Sequence, residues 1–114
     1  MEATGLRLGF CSVPERESAE AIAHALVDER LAACVNIIPQ IKSIYRWEGR
    51  VESNDEVLLI IKTSTQVPME KLRDRILTLH PYDVPELVMV PVTDGLDKYL
   101  AWVEASVSTV ESTG

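Results

Sequence analysis

Long hydrophobic runs are missing from this sequence. The longest, such as residues 57–61, have the length of a strand, far short of the roughly 20 apolar residues that a bilayer-crossing helix needs, so no direct membrane insertion is expected. Clustered positive charge is missing as well. The 114 residues carry 11 Lys and Arg against 18 Asp and Glu, a formal net charge of −7, and the densest basic concentration is Lys71, Arg73 and Arg75. Displacing counterions from a phosphate backbone requires far more clustered charge, which excludes nucleic acid as an expected partner. There is no Gly-rich phosphate loop, no His-x-x-x-His or Cys-x-x-Cys pair and no serine in a nucleophile elbow, so the chain is read as non-enzymatic.

Cysteine is scarce, with Cys11 and Cys34 alone. The N-terminus has no basic segment followed by an apolar one, the pattern of a secretory signal, and a cytoplasmic location with two free thiols is the expectation. Repeats, linkers and low-complexity blocks are also absent, giving a single domain over 1–114, with a core of about 6–107 and a polar tail at 108–114. What is present is an ordinary globular balance of 46% apolar and 25% charged residues, enough to pack a core without a disulfide.

Periodicity supplies the elements. Leu6 to Val13 alternates as a strand closed by Pro14. Between Glu15 and Arg30, Ala19, Ile22, Ala23, Leu26 and Val27 form a helical stripe. Ala33 to Ile38 and Ile41 to Trp47 read as one long strand with a bend at Pro39, and the bend points to a sheet edge. Glu48, Gly49 and Arg50 form a hairpin turn; Val51 to Asn54 pairs back weakly, and Val57 to Thr63 is apolar enough for a central strand covered on both faces. Pro68 opens a second helix through Met69, Leu72, Ile76 and Leu79, a strand follows over Glu86 to Val92, and Leu96, Tyr99, Leu100 and Val103 give a last helix. The order fits an α+β sandwich of the ferredoxin-like β-α-β-β-α-β kind, with a long β-hairpin and an extra C-terminal helix. Helices on one face would leave the other partly apolar, a surface for self-association.

Several separated segments then carry a family resemblance: Leu31 to Pro39, Tyr45-Arg46-Trp47-Glu48-Gly49, Glu56 through Lys62-Thr63, and His80-Pro81-Tyr82 followed by Pro85-Glu86. In order and spacing the chain resembles the CutA family of divalent cation tolerance proteins. The resemblance implies a homotrimer, similar in architecture to the PII signalling proteins, that takes part in tolerance or response to divalent metal ions. It also implies copper, or another divalent cation, bound at the cysteine of the first strand and at histidine just before Pro-Tyr. Those positions here are Cys11 and His80, with Leu79 standing where a second histidine would complete the set.

The residues themselves allow other readings. Cys11 and His80 offer a soft thiolate and an imidazole nitrogen, yet they equally suit a buried core cysteine and a helix-terminal histidine, and a Cys11 nucleophile with His80 as base is a third option. The resemblance further implies that the end of the third strand lies near the loop between the second helix and the fourth strand, which would gather Lys62, Tyr82 and Glu86, joined by Glu56, into a candidate ligand cleft at a subunit boundary, where a small anion or a protein partner would dock in a PII-like signalling or scaffold trimer; a structural ion pair with a hydrogen-bonded tyrosine holding that loop is the other reading of the same residues. Cys34 reads as packing, and His24 with Glu20 and Asp28 as a solvated helix face. Trp47, Glu48, Tyr99 and Trp102 read as interface residues. No organic cofactor is expected.

Overall fold

A computed structural model describes residues 4–108. The elements are β1 (Leu6–Val13), α1 (Arg16–Asp28), β2 (Cys34–Trp47), β3 (Arg50–Ser64), α2 (Met69–Leu79), β4 (Val88–Pro91) and α3 (Asp97–Val107). They form a four-stranded antiparallel sheet in the order β2-β3-β1-β4, the ferredoxin-like α+β arrangement expected from the sequence, with β2 at an edge and β3 inside.

One face of the sheet holds the main core. Cys11, Val13, Val57, Leu59 and Ile61 point there and meet Ala19, Ile22 and Leu26 of α1 and Leu72 and Ile76 of α2. Helix α1 ends where Arg30 takes a φ of 60° and the Leu31 amide returns to the Leu26 carbonyl at 2.9 Å, a left-handed stop that turns the chain toward β2. Helix α2 starts after Pro68 and stops at His80, whose amide bonds Ile76 O at 2.8 Å before Pro81. A second cluster, with Leu6, Ala33, Val67, Val103 and Val107, seats α3. There Ser64 Oγ and the Gln66 side-chain amide both donate to Glu104 Oε1, the serine at 2.6 Å.

The hairpin β2–β3 dominates the shape. Strand β1 pairs with β3 only from Val57 to Ser64, so residues 41–56 extend beyond the sheet as a two-stranded ribbon, and the domain measures 54 × 26 × 24 Å. Pro39 and Gln40 mark a register shift: Ile38 faces Leu58, yet Ile41 faces Glu56, and Gln40 has a φ of 61°. This bulge places Cys34, Asn36 and Ile38 on the same face as the odd-numbered Ile41, Ser43, Tyr45 and Trp47. Glu48 and Gly49, with φ of 49° and 77°, close the ribbon in a two-residue turn of the kind that matches strand twist.

Four details depart from the sequence reading. Strand β3 is continuous from Arg50, because the ladder with β2 holds the polar stretch 52–55. Its inner half alternates between buried and half-buried residues, since the outer face is covered only at the α3 end. Strand β4 is shorter than 86–92, and Val27 is exposed on α1. Ser108 is the last residue of the polar tail to be described; 109–114 lie outside the described residues.

Candidate functional site

A cavity of about 700 Å³ lies where the ribbon leaves the sheet, beside the segment joining α2 to β4. Its wall comes from three places. Strand β1 ends there with Ser12, the ribbon presents Ser43, Ile44, Tyr45, Trp47 and Glu56, and the connecting segment brings Pro81, Tyr82, Asp83, Val84 and Glu86. The bulge matters here, since it sets Ser43, Tyr45 and Trp47 on the face of Glu56.

Glu56 is 5% exposed. Tyr82 donates its hydroxyl to Glu56 Oε2 at 3.0 Å, and Ser12 donates to Glu86 Oε1 at 3.1 Å. Burial and the bond to Glu56 push the Tyr82 hydroxyl up to about 12, because a phenolate beside that carboxylate would be repelled. The Asn54 amide donates to Tyr45 Oη at 2.5 Å and steadies that ring.

Cys11 and His80 stand behind this wall. Cys11 is fully buried in the main core. Burial first, then the charges of Glu86 and Glu56, push its thiol up to about 12. His80 is buried as well: Nε2 lies 2.8 Å from the Ser12 carbonyl, and Nδ1 accepts the Tyr82 amide at 3.0 Å. The ring thus donates from Nε2 and accepts at Nδ1, which pins the connecting segment to β1 and leaves neither nitrogen for a metal. The Cys11 sulfur lies 4.0 Å from the Ser12 carbonyl oxygen. Among the described residues, no group of three His, Cys, Asp or Glu side chains is placed to hold a metal ion. A resident copper does not fit this pair as it is folded.

The structure brings Glu56, Tyr82 and Glu86 together and separates Lys62 from them. Lys62 lies six residues further along β3, on the order of 20 Å away, opposite Leu8 of β1 and Cys34 of β2. Its ammonium sits 6.0 Å from the centroid of the Tyr99 ring, beside a smaller pocket of about 180 Å³ under α3. Sequence reasoning passed over Ser43, Tyr45 and Asp83 as cavity residues and placed Trp47 at an interface. The register shift at Pro39 was the signal that would have assigned the ribbon residues. His24 is exposed on α1 and Cys34 is half-buried.

The family model of the CutA1 divalent ion tolerance protein matches residues 8–106. The chain belongs to the CutA1 family. It is 52% identical over 92 residues to the divalent-cation tolerance protein CutA of Thermus thermophilus, covering 81% of this chain and 88% of that one. It is 48% identical over 97 residues to the chloroplastic CutA of Arabidopsis thaliana, covering 85% of this chain but 53% of the relative, so it spans about half that protein's length. Among solved structures, the Thermus thermophilus CutA1 superimposes with a TM-score of 0.85 at 48% identity, covering 89% of this chain and 97% of that chain. The structure described as the periplasmic CutA of Archaeoglobus fulgidus does so with 0.86 at 36% identity, covering 90% and 99%. The fold is therefore the CutA fold.

Proposed function

We propose that this CutA chain serves divalent-cation tolerance as a non-enzymatic homotrimer, PII-like in responding to ligands, and not as a chelator that holds copper between Cys11 and His80. The ribbon is the observation that carries this reading. A two-stranded hairpin alone in water is marginal at best, and Ile44, Val51 and Trp47 on it are 70%, 65% and 52% exposed. Among the described residues, no strand pairs with the outer edge of β3 over 50–56, which makes it a template for another chain's strand. Ile38, Val88 and Val90 add apolar surface on the sheet face that α1 and α2 leave bare. Further copies of the chain would pair that edge and cover that face; the number three comes from the family resemblance. A reducing, cytoplasmic setting belongs to the proposal, since both cysteines are thiols.

A second reading, direct copper binding at Cys11 and His80, comes from the resemblance and requires the core to open and the His80 ring to release its partners. Mass measurement together with an anaerobic copper(I) titration under a competing chelator decides between them, with Cys11→Ala beside the unaltered protein. The expected result is three times the 12.7 kDa chain mass for both proteins, with weak copper uptake of equal size. Stoichiometric, tight binding lost in the variant would establish the second reading, and a monomer at micromolar concentration would remove the first.

A further inference from the structure

Asp94-Gly95 is the one Asp-Gly pair in the sequence, and it sits in the segment that joins β4 to α3. That segment is anchored at both ends. The Val92 amide donates to the Leu6 carbonyl at 2.9 Å, and the Val92 carbonyl accepts the Thr4 hydroxyl at 2.6 Å. On the other side the Leu100 amide returns to the Leu96 carbonyl at 3.0 Å and opens α3. Among the described residues, 93–95 make one hydrogen bond: the Gly95 amide donates to Asp94 Oδ1 at 2.8 Å. Both Asp94 and Gly95 are exposed.

This contact holds an amide nitrogen against a side-chain carboxyl that is one bond away from closing a five-membered ring. Glycine has no Cβ to screen the nitrogen, and both reacting groups belong to one short segment, so little freedom is lost when they meet. A Leu100 methyl lies 3.0 Å from where a Cβ on residue 95 would stand, so the packing favours glycine here. We propose that Asp94 is a site of spontaneous isomerisation to isoaspartate. From the neutral acid, the Gly95 nitrogen bonds to Asp94 Cγ and gives up its proton as the carboxyl hydroxyl leaves, so one water departs and a cyclic imide forms. Water then adds at the original main-chain carbonyl carbon and breaks its bond to nitrogen. The chain now runs through Cβ and Cγ, and the α-carboxylate is free; the water lost is regained, and neither mass nor redox state changes.

The product has one more carbon in the backbone between Val92 and Leu96. Val92 is tied to β1, while Val103 and Val107 seat α3 against Leu6, Ala33 and Val67, so the added length has to be taken up at the start of α3. Isomerisation should therefore loosen α3 and leave α1 and the main core as they are. The site needs no metal and stands apart from the tolerance reading.

Ageing the full, assembled protein at neutral pH with warming, in buffer and in unfolding urea side by side, tests the assignment. Peptide mapping with electron-transfer fragmentation distinguishes isoaspartate from aspartate. Isoaspartate should accumulate at Asp94 without a change of mass, at least about tenfold above Asp28, Asp55, Asp74, Asp83 and Asp97, none of which precedes a glycine. The folded protein should isomerise within about threefold of the rate in urea, because its fold already holds the two groups together. Asp94→Glu, which would need a six-membered ring, should lose the reaction. Asp94→Asn, with ammonia as the better leaving group, should react faster and gain mass as it does so. Since Asp94 is exposed, neither variant endangers the fold. In the aged protein, amide exchange should be faster along α3 and unchanged in α1. No isoaspartate at Asp94, equal amounts at the other aspartates, or a folded rate more than about tenfold below that in urea would each overturn the inference. Unchanged exchange along α3 would overturn its consequence for the fold.

Discussion

Replacing Cys11 with alanine separates a structural thiol from a ligand. Folding holds this thiol neutral up to about pH 12, against an ordinary value of 9.0. The folded form therefore binds a proton that the unfolded chain has already released above pH 9. Stability from this group is fully present below pH 9 and is lost as pH rises toward 12. Three units at about 1.4 kcal/mol each give about 4 kcal/mol over that window, or about 1.4 kcal/mol lost for each pH unit. Alanine removes the titration and, at neutral pH, costs about 1 kcal/mol of burial and packing. The assay is reversible urea unfolding of both proteins under reducing, anaerobic conditions, at neutral pH and at about pH 10 and 11. Every other group is common to the two proteins and cancels in the difference. The alanine variant should begin as the less stable protein and become the more stable one by about pH 10 to 11. Parallel curves would refute the reasoning, as would native Cys11 reacting with iodoacetamide as fast as Cys34 at neutral pH.

Two further changes test other joints of the fold. Ser64→Ala removes the hydroxyl that donates to Glu104 and accepts the Gln66 amide at 3.0 Å; it should cost about 1–2 kcal/mol, with faster amide exchange along α3 and unchanged exchange in α1. Gly49→Ala meets no neighbouring atom within 4 Å but must adopt a φ of 77°, so it should cost about 1 kcal/mol, seen as a lower melting temperature at fixed protein concentration.

Local patterns decided how much of this was legible in the sequence. The Leu6 to Val13 alternation, the α1 stripe and the stop at His80-Pro81 each rest on neighbours within a turn or two, and each element stands where its pattern put it. Val27 belonged to the stripe by spacing but is exposed on α1. The site depended on long-range placement. The grouping of Lys62 with Tyr82 and Glu86 assumes that the end of the third strand lies near the loop between the second helix and the fourth strand, yet Lys62 sits opposite Leu8 and Cys34, six residues past Glu56 on a strand that rises about 3.3 Å per residue. The roles of Cys11 and His80 depended on which atoms their polar groups meet across 68 residues, as in the bond from His80 to Ser12. Residue type and spacing do not contain that.

The Pro39–Gln40 irregularity and the Glu48–Gly49 turn jointly fix the molecular identity of the cavity wall. Were the strand to run straight through Gln40, Lys42, Ile44 and Arg46 would take the places beside Glu56, and two cations would neutralise the cavity from within. Trp47 would then fall into the turn, which would have to lengthen to three residues. Three residues with positive φ hold off this alternative: Gln40 at one end, and Glu48 with Gly49 at the other. Two of them, Gln40 and Glu48, are not glycine and hold a conformation that L-residues disfavour by roughly 1–2 kcal/mol each. The acidic, aromatic character of the cavity is thus written less in which residues the ribbon contains than in how they are counted along it.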